Sequence, residues 1–314
     1  MLNNRIFCLG HISVDIFISR ATLEEISAKI GGCIQSQDLV MHGGGDAANV
    51  AYWLAAKGRP VSFFGVIAKD PMGEFLRNDL EQVGVNCFLK KSQDYPTASI
   101  LVIIEPNGER SFVQNGESQN DLLWKDLPLT QIFQSGIIYT SAYTLERNPI
   151  KSTMKRLFQY IKHQEKKSPE VIFNLASFTT IEKCRDEIIN GILPFTDILI
   201  GNRNEFLLLV QHSKWKEWSK VGLRLIRQSP HLHTVLITDG ENGCYYITKD
   251  MKGHIAAPKV NVIDTTGAGD GFSAGFIAGY TTLERDIPKS VELGVKLGSE
   301  ICKGFGARYN PVRF

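Results

Sequence analysis

The sequence predicts an α/β protein with a mostly parallel central sheet, helices on both faces and a small β-sheet lid. Two observations predict the sheet. Short apolar runs, "RIFCLG" (5–10), "VSFFGVI" (61–67), "GIIYTSAY" (136–143), "EVIFNLA" (170–176), "DILIGN" (197–202) and "TVLITD" (234–239), read as strands buried on both sides. Segments of helical character separate them, and this alternation belongs to parallel sheets covered on both faces. A third observation predicts the lid. "SVDIFIS" (13–19), "DLVMHG" (38–43) and the hairpin of 98–116, turning at Pro106-Asn107-Gly108, interrupt the rhythm with half-polar strands.

The helices follow in order. After "GGGDAAN", Val50, Ala51, Leu54 and Ala55 recur at helical spacing and Gly58 suits the position after a helix end. Residues 73–84 form an amphipathic pattern closed by Gly84. Further helices are expected near 149–166, 181–191, 203–210 and 216–228, after 270 and after Pro288; "GCYYIT" (243–248) reads as one more strand. With no internal repeat and no low-complexity linker, residues 1–314 read as one domain. Its lid is formed by about 12–43 and 96–118 and serves to cover an active site.

Bulk composition removes several function classes. The 314 residues are 43% hydrophobic and 22% charged with a net charge of +2, which gives no electrostatic case for nucleic acid or membrane as partner. The basic stretch 151–167 reads as a solvated helix face. Six cysteines without CxxC or matching histidine spacing argue against zinc and against a disulfide scaffold. No apolar run nears 18 residues and the first residues lack a signal peptide's apolar stretch, so a cytoplasmic location is expected.

Chemistry concentrates in "DTTGAGDGF" (264–272). Gly267 and Gly269 let the backbone curl so that the amides of Gly267, Ala268 and Gly269 converge on an anion, and the following helix adds its positive end. Asp270 would repel a bound phosphate, which suits a residue facing the group that attacks phosphorus. Phosphoryl transfer asks little of its base beyond position, because its transition state is loose. The bland reading of Asp270 is a charge stabilising the helix start. Relaxed GxGxxG/A patterns at 43–48 and 269–274 would suggest a dinucleotide-dependent oxidoreductase, but neither lies in a first βα turn, and the GxxxxGK[ST] loop is absent.

Several segments together resemble one family. "DTTGAGDGFSAGF" resembles the C-terminal signature of the ribokinase-like (PfkB-type) carbohydrate kinases. "GGDAANVAYWLAAKG" (44–58), the Gly and Asp rhythm of 63–85, the Asn-x-x-Glu of Asn202 and Glu205, and "LITDGENGCYYI" (236–247) match the family in order along nearly the whole chain. The resemblance implies a kinase using ATP and Mg2+, with Asp270 as base and Gly267, Ala268 and Gly269 as anion hole. It implies that Asp15, Gly44, Gly45 and Asn49 hold the acceptor and that Thr238 and Gly240 contact ATP. It further implies that Asn202 and Glu205 organise phosphates and magnesium through water. Asp264 and Thr266, with "KGFGAR" (303–308), correspond to a monovalent cation (K+) site in many members.

The acceptor stays open between a nucleoside and a sugar. "FNLASF" (173–178), "GNRNE" (201–205) and "EICKGFGARYNP" (300–311) are similar to the adenosine-kinase-like branch, whereas a ribokinase- or fructokinase-type sugar kinase is the alternative. A non-catalytic homologue that binds a nucleoside or sugar is the third reading. Asp46, Glu117-Ser118 and Ser141 depart from the family pattern. An added acid at 46 or 117 facing the pocket would disfavour an acceptor that already carries phosphate. The lid's exposed edges would also suit a homodimer.

Overall fold

A computed structural model of the chain describes residues 4–19, 38–104, 110–164, 168–211 and 218–308. In chain order its strands are β1 (Ile6–Leu9), β2 (Ser13–Ser19), β3 (Asp38–Gly44), β4 (Val61–Ala68), β5 (Asn86–Ser92), β6 (Ser99–Ile104) and β7 (Arg110–Asn115). Then follow β8 (Ile137–Ser141), β9 (Glu170–Asn174), β10 (Ile198–Asn202), β11 (Thr234–Thr238), β12 (Cys244–Thr248) and β13 (Lys252–Ile255). The longer helices are α1 (Asp46–Ala56), α2 (Pro71–Gln82), α3 (Ile150–Lys162), α4 (Phe178–Glu187), α5 (Arg203–Val210), α6 (Trp218–Gln228), α7 (Ala268–Thr282) and α8 (Ile287–Ile301).

The expected apolar runs form a nine-stranded sheet in the order β13-β12-β11-β10-β9-β8-β1-β4-β5. Seven of these strands, β11 through β5, pair in parallel, and β12 and β13 close one edge antiparallel. Burial on both sides explains why the sequence shows unbroken apolar runs rather than alternation. Ile6, Cys8, Phe63 and Tyr139 enter one core with α1, α7 and α8, whereas Phe7, Leu9, Phe64 and Phe173 enter the other with α3 and α4. Strands β5 and β13 were not anticipated. Both are polar edge strands, "NCFLKKS" and "KGHI", whose composition is that of a loop; pairing to a neighbour makes them strands.

The second sheet is the expected lid, ordered β3-β2-β6-β7. β2 pairs antiparallel with β3 and parallel with β6, and β6 pairs antiparallel with β7. The segments 20–37 and 105–109, including the proposed turn at 106–108, lie outside the described residues. Gln119, 3% exposed, anchors the base of β2 by accepting from the Ile12 N–H and donating to the Ile12 carbonyl.

Local chemistry sets the helix starts. Asp70 caps α2 by accepting from the Gly73 N–H (2.8 Å), and Asp286 caps α8 by accepting from the Lys289 N–H (3.0 Å). Helix α7 starts at Ala268, three residues earlier than the sequence suggested, so Asp270 stands within its first turn.

Helices α7 and α8 meet backbone to backbone. A Cβ at Gly275 would come within 2.5 Å of the Leu293 carbonyl and 2.9 Å of Gly294 Cα, so neither helix can yield cheaply. We expect Gly275→Val to cost about 1–3 kcal/mol, the usual penalty of overpacking, measured as a lowered urea midpoint at unchanged slope. An unchanged midpoint would refute this packing.

Candidate active site

Parallel strands deliver their carboxyl ends to one edge of the sheet, the usual crevice for ligands in α/β proteins. A cleft of about 1370 Å³ lies there. Ser13, Ile100, Phe112 and Gln114 of the lid form one wall, and Asn174, Asn202 and Thr238, which end β9, β10 and β11, form its sheet side. Of the sequence candidates, Gly45, Asn202, Glu205, Thr238, Gly240, Gly267, Gly269 and Asp270 line it directly. Asp15, Gly44 and Asn49 stand just behind that wall. Asp264, Thr266 and Ala268 belong to the anion loop but do not line the cleft.

Two left-handed glycines turn the chain into the helices that carry the site. Gly45 (φ 89°) ends β3 and begins α1, with His11 O and Ile12 Cα both 2.5 Å from where a Cβ would be. Gly267 (φ 77°) begins α7, with Ala307 Cα 2.7 Å from its would-be Cβ. Any side chain at either position meets both backbone strain and backbone atoms. A Cβ at Gly269 meets nothing within 4 Å, in keeping with its place on the cleft wall. The Ala268 N–H is turned onto the Thr265 carbonyl (3.2 Å), which leaves Gly267 and Gly269 as the better-placed donors of the expected three.

Asp270 receives a 2.8 Å hydrogen bond on Oδ2 from Asn49 Nδ2, which joins α7 to α1. Dense protein around this carboxyl pushes its pKa up to about 8, with Asp46 and Asp15 adding to the rise and Asn49 and Arg308 opposing it. Asp15, 9% exposed, is raised to about 6, chiefly by burial; its carboxyl accepts from Ser13 Oγ (3.0 Å) and covers Gly44, where any Cβ would collide with it.

Asn202 and Glu205 form a reciprocal cap at the start of α5. Asn202 Oδ1 accepts from the Glu205 N–H (3.0 Å), and Glu205 accepts from the Asn202 N–H (2.8 Å) and from Asn202 Nδ2 (2.7 Å). Burial at 4% exposure pushes the Glu205 carboxyl up to about 7. That loss of charge would reverse beside a divalent cation, so Glu205 fits a magnesium ion reached through water. No group of three or more His, Cys, Asp and Glu suited to direct metal ligation occurs among the described residues. Asp264, 6% exposed, accepts from the Thr266 N–H (2.9 Å), Thr266 Oγ1 (2.8 Å) and the Gly306 N–H (2.9 Å); these bonds fold the anion loop and fasten the chain's end to it.

Several residues of the site escaped the motifs. Asp46 and His11 line the cleft beside Asp270, with both Asp46 oxygens and His11 Nε2 screened from solvent. His11 stacks on Tyr143 (5.9 Å between ring centres), and burial lowers its pKa while raising that of Asp46. Asn174 donates to Ser273 Oγ (3.1 Å) and Tyr139 Oη (3.3 Å) and accepts from the Ala176 N–H (2.9 Å), bracing the first turns of α7. Asp46 was visible as a departure from the family pattern; a lone His, Asn or Tyr after a strand carries no such signal.

Comparison with known proteins identifies the family and the fold. The pfkB family carbohydrate kinase profile matches residues 3–313. "Probable fructokinase-6, chloroplastic" of Arabidopsis thaliana is 30% identical over 239 residues, which are 75% of this chain and 61% of that protein's length. Adenosine kinase from Sinorhizobium meliloti superposes with a TM-score of 0.83 at 23% identity, covering 98% of this chain and 96% of that one. Fructokinase from Vibrio cholerae O395, solved with fructose, ADP and calcium, superposes with a TM-score of 0.78 at 19% identity, covering 98% and 95%. With an α/β sheet, a separate lid sheet and a profile match along nearly its whole length, the chain belongs to the pfkB family of carbohydrate kinases, phosphotransferases that act on a hydroxyl group.

Proposed function

We propose that this protein moves the γ-phosphoryl group of ATP to a primary hydroxyl of an unphosphorylated acceptor, a nucleoside of the adenosine type or a sugar. The observation that carries this reading is Asp270, held by Asn49 inside the first turn of a helix whose start, at Gly267 and Gly269, lines the cleft. The acceptor oxygen attacks the γ-phosphorus as its proton passes to an Asp270 oxygen, the bond to the bridging oxygen breaks, and ADP leaves. The Gly267 and Gly269 amides stabilise the transferring group from the opposite side, with Ala268 joining when its weak turn bond yields. Asn202, Glu205, Thr238 and Gly240 line the nucleotide half of the cleft, and Asp15, Gly44, Gly45 and Asn49 surround the acceptor half. Magnesium, when bound through water at Glu205, supplies neutralising charge to the phosphates. Lid strands along the cleft keep water from competing with the acceptor.

Three carboxyl groups, Asp15, Asp46 and Asp270, crowd the acceptor half, which supports an uncharged polyol over a sugar phosphate. The likeness to the adenosine kinase supports the nucleoside, and the fructokinase at 30% identity supports the sugar. The five cysteines among the described residues are free, which agrees with a reducing compartment such as the cytoplasm. Along the lid, the register aligns Leu39, Met41, Ile16, Ile18, Leu101 and Val113 on one face. Leu39 (69% exposed) and Val113 (62%) make that face a candidate homodimer surface.

An ADP-release screen over adenosine, inosine, ribose, fructose and hexose phosphates tests the reaction. We expect turnover with an unphosphorylated member and a loss of about 10²–10⁴-fold in kcat for Asp270→Asn with ATP binding retained. Near-normal turnover in that variant would sink the assignment. Acceptor kcat/KM should climb with pH to a midpoint near 8, since the base works only when ionised. The same raised pKa means that stability falls as pH rises from an aspartate's ordinary value toward 8. Above that pH, Asp270→Asn should therefore melt at a higher temperature than the parent protein; a lower melting point would contradict the burial of this charge. Sedimentation velocity should give a dimer that Leu39→Glu dissociates, and a monomeric parent protein would remove the lid interface.

A further inference from the structure

We propose that Arg308 is a positioning residue for phosphoryl transfer, setting the amide orientation of Asn49 and through it the placement of the Asp270 carboxylate. The inference rests on the reading of Asp270 as the base. Arg308 closes the "KGFGAR" segment, in which it was given no role of its own, and is only 5% exposed. Its guanidinium spends three edges on the acceptor half of the cleft. Nε donates to Asn49 Oδ1 (2.9 Å), Nη2 donates to the Gly44 carbonyl (2.8 Å), and Nη1 meets the Asp79 carboxylate of α2. The cation also lies 5.5 Å from the centre of the Tyr52 ring.

The direction of these bonds matters. Arginine has donors only, so Asn49 must turn its oxygen toward Arg308 and its NH₂ toward Asp270. The bond from Asn49 Nδ2 to Asp270 Oδ2 (2.8 Å) is the consequence. A flipped amide would set N–H against guanidinium and oxygen against carboxylate, two repulsions in place of two bonds. Asn49 is 4% exposed, so water cannot repair such a flip. Without Arg308 both orientations become accessible, and the ionised base loses its donor for part of the time.

The surroundings hold the guanidinium in place. Any Cβ at Gly43 would collide with Arg308 and Asp79, so the first glycine of "GGG" clears its path. The Ala307 carbonyl accepts from Trp53 Nε1 (2.8 Å), and the Gly306 N–H donates to Asp264 (2.9 Å). Segment 302–308 is thereby tied to α1 on one side and to the anion loop on the other. A Lys at 308 would keep the charge but lose the planar fork that reaches Asn49, Gly44 and Asp79 together.

The experiment compares Arg308→Lys, Arg308→Met and Asp79→Asn with the parent protein, using whichever acceptor the ADP screen identifies. For Arg308→Lys we expect acceptor KM to rise and kcat to fall, together about ten- to a hundredfold in kcat/KM, with ATP KM within about twofold. Arg308→Met should lose more, and Asp79→Asn less, since Asp79 reaches Asn49 only through Arg308. The groups facing Asp270 are Asp46, Asp15, Asn49 and Arg308, with the Tyr139 and Tyr143 hydroxyls also within its field. Losing the guanidinium should move the acid limb of kcat/KM to higher pH, which a merely structural role would not do. NMR reads the same link without turnover: the Asn49 side-chain amide should titrate with Asp270, at a higher midpoint in Arg308→Lys. Unchanged acceptor KM and an unchanged Asn49 midpoint in folded Arg308→Lys would overturn the inference. A parent protein that releases no ADP with any acceptor would instead overturn the kinase reading, and the NMR midpoint would still judge Arg308.

Discussion

The hydrogen bond from Asn49 to Asp270 is the contact on which the site depends. It joins residues 221 positions apart and brings together the first turns of α1 and α7. Each helix starts at a left-handed glycine, Gly45 or Gly267, with another stretch of backbone pressed against it. Ile12 backbone packs on the first and Ala307 backbone on the second, so the lid base and the chain's end are both gathered around this one pair. The acceptor half of the cleft therefore has little freedom to drift relative to the anion loop. A reaction governed by positioning requires that restraint.

The arrangement runs against folding stability. Asp15, Asp46 and Asp270 are brought together where burial raises all three carboxyl groups, with repulsion from Asp46 and Asp15 adding to the rise at Asp270, and Glu205 is raised by burial as well. Ion pairing offsets little of this, because the Arg308 charge is shared with Asp79. The acids are supported instead by helix starts, by the Asn49 amide and by the Asn202–Glu205 cap. In the proposed reaction a carboxyl raised toward neutrality is better matched to taking a proton than an aspartate in water, and the cost in stability and the gain in chemistry have the same physical source.

Much of the fold was legible because burial writes itself into composition. The runs that became β1, β4, β8, β9, β10 and β11 are apolar on both faces, which only a covered sheet requires. Edge strands β5 and β13 were not legible, since an edge tolerates Lys90, Lys91 and Lys252 as a loop would. In the site, "DTTGAGDGF" announced itself through its clustered glycines, of which Gly267 has no room for a side chain. Asn174, His11 and Arg308 sent no such signal, because their value comes from partners far away in the chain.

The sequence by itself determined the layered α/β architecture and the glycine-rich turn that leads into the helix of Asp270, since these rest on local backbone geometry and on apolar periodicity. It also determined the family, through motifs in order along the chain. Only the tertiary structure decided that Asp46 lines the cleft beside Asp270, that Ala268 turns its amide onto Thr265, and that Arg308 dictates which way Asn49 points. Each is a matter of side-chain direction and charge proximity between segments that meet only after folding. No local pattern encodes those distances.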